Sequence, residues 1–258
     1  MSGTTHQGRI LEQFTRQALP FSTASTITDG RALRMIVDAA APKRDDTLLD
    51  VACGGGLVVC EFAPRVKHAT GIDMTPAMLD RARQFAVEKG IANVTWTRGD
   101  GGLLPYADGL FNIVVTRFSM HHFVDPLGLL QGMVRVCAPG GRVVVVDMYA
   151  SDDVAKAAEW NRVEKLRDPS HVRCLTLPEL KQLLRVAGLS EPCVGFYELR
   201  DDIKNLLARS FPNPGDDAKI IEIFSASAAD DRLGIPVERK GPRIEYAYPV
   251  VILTAERT

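Results

Sequence analysis

Apolar runs of strand length alternating with helical stretches predict an α/β fold, a doubly wound and mostly parallel sheet with helices on both faces. Three observations carry this. First, Leu48-Leu49-Asp50-Val51-Ala52-Cys53-Gly54-Gly55-Gly56 joins an apolar run ending in an acid, a loop of small residues, and a new apolar segment from Leu57. That is the pattern of strand, tight turn and helix. Second, strand-like runs recur at residues 69–73, 94–98 and 111–116 with helix-length intervals between them. Third, Val143-Val144-Val145-Val146 is the continuous β-branched run of a strand covered on both faces.

Residues 7–41 read as one or two amphipathic helices, with an interruption around residues 20–29. There Phe21-Ser22-Thr23-Ala24-Ser25-Thr26 is loop material. The small-residue loop after the first strand lets backbone approach a ligand, and the following helix offers free N–H groups, as in nucleotide sites. The second strand ends at Asp73, whose carboxylate can accept both hydroxyls of a ribose. Thr75-Pro76 then starts a helix that Gly90 closes. After the third strand comes Gly99-Asp100-Gly101, and this second carboxylate can accept from the amine of adenine. The fourth strand opens onto Arg117-Phe118-Ser119-Met120-His121-His122. Asp125-Pro126 begins another helix, expected to end near Ala138-Pro139-Gly140. Thr176-Leu177-Pro178-Glu179 has capping-box spacing for a helix closed by Gly188. Residues 194–199 and 246–255 read as two late strands.

Composition narrows the function. The 258 residues carry a net charge of −1 and 46% hydrophobic residues, ample for a core. No clustered Lys and Arg mark a nucleic-acid face, and no Asn-Pro-Pro-Tyr-type motif follows the fourth strand. Cys53, Cys60, Cys137, Cys174 and Cys193 lack the close pairing that binds zinc, so no metal is expected. No signal peptide or membrane span is evident, and the chain reads as reduced and cytoplasmic.

In this order the residues resemble the class I S-adenosylmethionine-dependent methyltransferases, above all the small-molecule branch typified by the ubiquinone/menaquinone-biosynthesis C-methyltransferases. The matching pieces are Asp50-Val51-Ala52-Cys53-Gly54-Gly55-Gly56, Gly71-Ile72-Asp73-Met74-Thr75-Pro76-Ala77-Met78-Leu79, Gly99-Asp100 with Leu104-Pro105-Tyr106, and Ala138-Pro139-Gly140-Gly141. They span residues 47–147. Two departures stand out: Gly54-Gly55-Gly56 replaces the frequent Gly-Thr-Gly, and Asn112 replaces an Asp after the Phe of the fourth strand. A dinucleotide-binding dehydrogenase is the main rival. Its third glycine would fall at Val59, and its diphosphate would meet the carboxylate of Asp50.

The resemblance implies a Rossmann-like seven-stranded sheet, with an antiparallel pair at its edge and the final strand inserted between its neighbours. It divides the chain into an N-terminal helical lid (1–41), an S-adenosylmethionine-binding core (42–150) and a substrate cap (151–258) that also completes the sheet. Segments 151–175 and 201–243 exceed short connections and belong to the cap. Asp73 is assigned to the ribose hydroxyls and Asp100, between Gly99 and Gly101, to the adenine amine. Ala52, Cys53 and Gly54 take backbone contacts along the methionine moiety, Met74 and Met78 flank the adenine, and Arg117 lends its main chain near the amino group. Asp50 orients the ammonium.

The cofactor brings its own electrophile, so the protein's work is alignment in a dry pocket. A general base is needed only where the acceptor must lose a proton. His121 and His122, at the carboxyl edge of the sheet, are candidates, as is His171 in the polar turn Arg167-Asp168-Pro169-Ser170-His171. Phe21 is expected in a lid over the sulfonium, Phe14 in ordinary helix packing, and His6 and His68 without a role. The expected partner is a small aromatic, quinone-like or natural-product acceptor, with a homodimer left open. Two alternatives share the binding residues: a cyclase-type enzyme that uses the cofactor's charge and not its methyl, and a non-catalytic binding module. Release of S-adenosylhomocysteine during turnover separates the first, and cofactor calorimetry the second.

Overall fold

The computed structural model describes residues 5–258. Five parallel strands form the framework: β1 (Thr47–Val51), β2 (His68–Asp73), β3 (Val94–Arg98), β4 (Phe111–Arg117) and β5 (Cys137–Met148). Three more follow: β6 (Cys193–Asp202), β7 (Val237–Lys240) and β8 (Arg243–Glu256). The sheet order is β3-β2-β1-β4-β5-β8-β6. β8 runs antiparallel between β5 and β6, as the resemblance implied. An eighth strand was not foreseen: β7 pairs with residues 243–246 of β8, beside the stretch that β5 takes further along. With a single apolar residue among four, it carries too little alternation to be read as a strand.

Successive side chains along the strands alternate between two cores. Leu48, Ile113, Val115, Val144 and Val146 pack on one face with α2 (Gly30–Ala40), α3 (Leu57–Phe62), α6 (Val154–Arg167) and α9 (Asp216–Asp230). Leu49, Val51, Val114, Val143 and Val145 face the other way, against α5 (Pro126–Val136) and α7 (Leu177–Val186). Burial on both faces is why these strands read as unbroken apolar runs. Asn112 also finds its reason here: its Oδ1 accepts from the backbone N–H of Thr47 at 2.9 Å and from the Thr47 hydroxyl at 3.2 Å, clipping β4 to β1.

Two boundaries differ from expectation. α1 (His6–Thr23) runs straight through Pro20, and the break is confined to residues 24–29. The hydroxyls of Ser22 and Thr23 donate back to the carbonyls of Ala18 and Leu19, so both side chains bond within the last turn past the proline. Phe21 therefore sits on a helix and not in a loop. α5 stops at Val136, because Cys137 turns extended and pairs with Phe111.

The segments assigned to the cap hold α6, α8 (Ile203–Ala208), α9 and β7. Trp160 of α6 is fully buried, with its ring 5.6 Å from that of Tyr248 on β8. Trp160→Ala is expected to cost about 3–5 kcal/mol, chiefly by leaving a cavity between α6 and the sheet. Urea unfolding measures this, and a loss below 1 kcal/mol would mean that α6 does not anchor there. Among the described residues no helix is long and apolar enough to cross a membrane.

Candidate active site

The sheet order reverses between β1 and β4, so the chain leaves these neighbours toward opposite sides and opens a crevice at their carboxyl ends. The loop after β1 turns sharply there: Ala52, Gly54 and Gly56 have φ of 57°, 50° and 77°. Phe118, just past β4, has φ 55°. Two non-glycine residues are thus held in the left-handed region at one place, a cost that surrounding structure must offset.

A cavity of about 420 Å³ fills the crevice. At its floor lies Asp50, 1% exposed, with one carboxylate oxygen lacking any partner. Burial first, and then the charge of Asp73, push its pKa well up, while Arg117 pulls it down. Asp73 shapes the loop it faces: its carboxylate accepts from the backbone N–H of Gly54 and of Thr75, both at 2.8 Å. Burial raises the Asp73 pKa, and those two backbone bonds oppose the rise. Asp100 accepts from the Gln7 side chain at 2.8 Å and from its own turn, at Gly102 N–H, at 2.9 Å. Arg117 donates to the Ile27 carbonyl at 3.0 Å and lies over the Phe118 ring, while its Nε and Nη2 are sealed without partners.

α1 closes the cavity from above. His6 contacts the His122 carbonyl at 2.7 Å, Gln7 reaches Asp100, and Gln17 donates to Asp168 at 3.2 Å. The edge of one ring meets the face of the other where Phe14 packs on His122, with centroids 5.0 Å apart. Behind Phe14, Phe21, Phe118 and His122 is a second space of about 60 Å³, lined also by His121, Arg167, Asp168, Tyr246 and Tyr248.

Three histidine rings cluster beside this inner space. His121 Nδ1 is 2.6 Å from Asp147 Oδ1, with both residues buried. His122 Nδ1 faces the Ser170 carbonyl at 3.1 Å. His171 Nε2 meets Asn161 Oδ1 at 2.9 Å, and that oxygen also accepts from Cys174 N–H, so Nε2 is the donor. Its Nδ1 is buried with no partner.

The structure brings most of the sequence-derived site residues together. Asp50, Ala52, Cys53, Gly54, Asp73, Met74, Met78, Asp100, Gly101, Arg117, Phe21 and His122 all line the larger cavity. Gly99 does not: its N–H bonds the Asp73 carbonyl, and a Cβ added there would lie 2.8 Å from the Ile72 side chain. His121 lines only the inner space, and His171 lines neither. Sequence reasoning passed over His6, Gln7, Ile10 and Phe14, which line the larger cavity from α1. Residues this far from the loops carry no local motif; only the apolar face of α1 hinted at Phe14. His68 lines neither cavity and is bonded to Thr95 at 2.9 Å.

Residues 49–145 match the family described as "Methyltransferase domain". The chain thus carries a methyltransferase domain, and with the fold and the relatives below it is similar to the class I S-adenosylmethionine-dependent methyltransferases. It is 28% identical over 243 residues to YcgJ of Bacillus subtilis strain 168, named an uncharacterized methyltransferase, covering 93% of this chain and 96% of YcgJ. The YcgJ crystal structure superposes with a TM-score of 0.82 at 26% identity, over 88% of this chain and 98% of that one. BH2331 of Bacillus halodurans C-125 does so with the same TM-score at 27% identity, over 88% and 99%. The ubiquinone/menaquinone biosynthesis C-methyltransferase UbiE of Roseobacter denitrificans is 35% identical over 115 residues, 43% of this chain and 46% of UbiE. The matched part thus spans under half of that enzyme.

Proposed function

We propose that this methyltransferase holds S-adenosylmethionine in the larger cavity and methylates a small, partly apolar acceptor by in-line displacement. The observation that carries the reading is the partnerless carboxylate oxygen of Asp50, buried in the floor of a cavity that also presents Asp73 and Asp100. A lone buried carboxylate is costly unless a cation completes it, and the ammonium of a methionine moiety would do so. When bound, S-adenosylmethionine supplies a methyl group on a positively charged sulfur. Asp73 would take the ribose hydroxyls and Asp100 the adenine amine. Phe14, Phe21 and Phe118 would exclude water and offer aromatic faces to the positive charge.

In this reading residues 1–41 act as the lid, 42–150 as the cofactor core and 151–258 as the acceptor cap. The apolar wall of the cavity and the net charge of −1 favour a small molecule over a nucleic acid. UbiE, by its name, methylates carbon in quinone biosynthesis, which supports an aromatic or quinol-like acceptor.

Calorimetry with S-adenosylhomocysteine is the first test, and absence of heat would end the reading. A panel of phenols, quinols and amines with methyl-labelled cofactor then follows both label transfer and S-adenosylhomocysteine release.

Asp50→Asn checks the carrying observation from a second side. The folded pKa of Asp50 is raised, so its contribution favours folding at low pH and is lost as pH rises from its unfolded value through its folded one. The ligand-free variant should therefore melt at a higher temperature than the parent at pH 8, with the gap closing toward pH 4. Its affinity for S-adenosylhomocysteine should fall roughly 10- to 100-fold, since a charged hydrogen bond is lost. Equal melting temperatures at pH 8, or unchanged affinity, would remove Asp50 from this role.

A further inference from the structure

We infer that His121, held by Asp147, is the general base of the reaction, and that the acceptor is a phenol or enol whose hydroxyl reaches from the larger cavity into the inner space. The inference rests on the methyl-transfer reading above and names the acceptor class that reading leaves open.

The geometry begins at two strand ends. β4 leads into the turn Met120–His122, and β5 carries Asp147 beside it. The Asp147 carboxylate also accepts from the backbone N–H of His121 at 3.3 Å and of Met148 at 2.8 Å, which fixes it in place. Because a carboxylate only accepts, Nδ1 of His121 bears the proton at their 2.6 Å contact. The lone pair is left on Nε2. Among the described residues that nitrogen has no hydrogen-bond partner and is not one of the sealed polar atoms, and His121 lines the inner space. A base oriented by an acid, with its free nitrogen at a cavity, is the arrangement that proton abstraction requires.

The neighbours keep that role for one ring. The His121 centroid lies 4.3 Å from that of His122 and 5.5 Å from that of His171, too close for two cations in a buried site. Burial and then the charge of His121 push His122 down to about 4, and they push His171 down as well. His121 moves the other way: burial opposes its charge, but Asp147 outweighs burial and raises it. Every charged element around it enters this balance. From α6, Arg167 repels the proton and Glu164 attracts it; Asp168 sits against His122; Arg209, Tyr246 and Tyr248 line the same inner space. The cluster can therefore accept one proton more easily than two, and His121, held by Asp147, is the ring placed to receive it.

The two cavities share Phe14, Phe21, Ile27, Phe118 and His122, so a flat acceptor ring wedged among these aromatics spans both. In the step, the hydroxyl O–H bond breaks and its proton goes to Nε2. The electron pair released on oxygen, or on a conjugated carbon, bonds the methyl carbon as the carbon–sulfur bond breaks, and sulfur keeps that pair. One positive charge leaves sulfur and one settles on the imidazolium beside Asp147, which later loses its proton to water. An amine acceptor needs no such base, because it can shed its proton after transfer.

The test uses 4-nitrophenol as the probe, with the intact chain saturated in S-adenosylhomocysteine. The parent should bind it as the yellow phenolate at a pH where the free compound is mostly neutral. His121→Gln should still bind it, with the phenolate-to-phenol ratio at least about tenfold lower, the equivalent of one pKa unit. Asp147→Asn should move it in the same direction. In the unaltered chain, ring-nitrogen NMR should show one buried histidine taking up a proton at a higher pH than an ordinary imidazole while the other two stay neutral there, and this signal should vanish in His121→Gln. With any methylated phenol, turnover of the variant should drop by about 10²–10⁴-fold. A neutral probe in the parent, equal ionisation in parent and variant, or no probe binding by a chain that does bind S-adenosylhomocysteine would each overturn the inference. Failure to bind S-adenosylhomocysteine would instead defeat the underlying methyl-transfer reading.

Discussion

Asp73→Ala should weaken S-adenosylhomocysteine binding by at least about a hundredfold, whereas Asp100→Ala should weaken it only about tenfold. The difference follows from what each carboxylate does besides meeting a ligand. Asp73 organises the loop after β1, accepting from Gly54 and Thr75 through both of its oxygens. Its removal frees two backbone donors in a partly buried place and, in the proposed reading, would also delete the acceptor for two ribose hydroxyls. A hydrogen bond to a charged group contributes about 1.5–3 kcal/mol, so two lost together exceed the threshold for a hundredfold change. Asp100 is partly exposed and would receive a single amine, and its present partners, Gln7 and Gly102, can turn to water. Titration calorimetry on both variants ranks them. Equal losses, or a larger one for Asp100, would refute the division of labour between ribose and adenine.

Gly56→Ala should be the most damaging single-methyl change in the crevice. The residue sits at φ 77°, where an L side chain is strained, and an added Cβ would lie 2.5 Å from the Trp96 ring and 2.8 Å from the Ala82 side chain. Left-handed strain costs on the order of 1–3 kcal/mol, and forced overpacking adds about as much again. A total of roughly 2–6 kcal/mol is expected, read as a lower urea midpoint and as loss of cofactor binding under conditions where the chain is still folded. Gly55→Ala is the internal control. There φ is not positive and the near contacts are the hydroxyl and Cβ of Ser22, at 2.5 and 3.1 Å, so without left-handed strain the cost should be smaller. Comparable losses at the two positions would show that close packing at Gly56 is not what fixes the loop.

Legibility in the sequence follows the range of the interactions. The strands of the parallel core stood out because both faces are buried, which forces unbroken runs such as 143–146. The crevice acids stood out because each lies at or near the carboxyl end of a strand, where the strand-like run stops. The course of α1 was not legible. Pro20 and the Ser/Thr stretch after it argued for a break, yet Phe14 and Phe21 lie over the cavity and tie the helix down through contacts far away in sequence. His6, expected to have no role, is held by the His122 carbonyl 116 positions later. The pairing of His121 with Asp147 was hidden for the same reason. Neither residue carries a motif for the other, and only the parallel register of β4 with β5 makes them neighbours.

The place of β8 has a consequence for biosynthesis. A ribosome delivers β1 to β5 long before residues 243–256, yet it is those last residues that fill the slot between β5 and β6. Until they emerge, β5 presents an unpaired edge and β6 has no neighbour to join. The sheet of a nascent chain can therefore close only after residues 243–256 have left the ribosome.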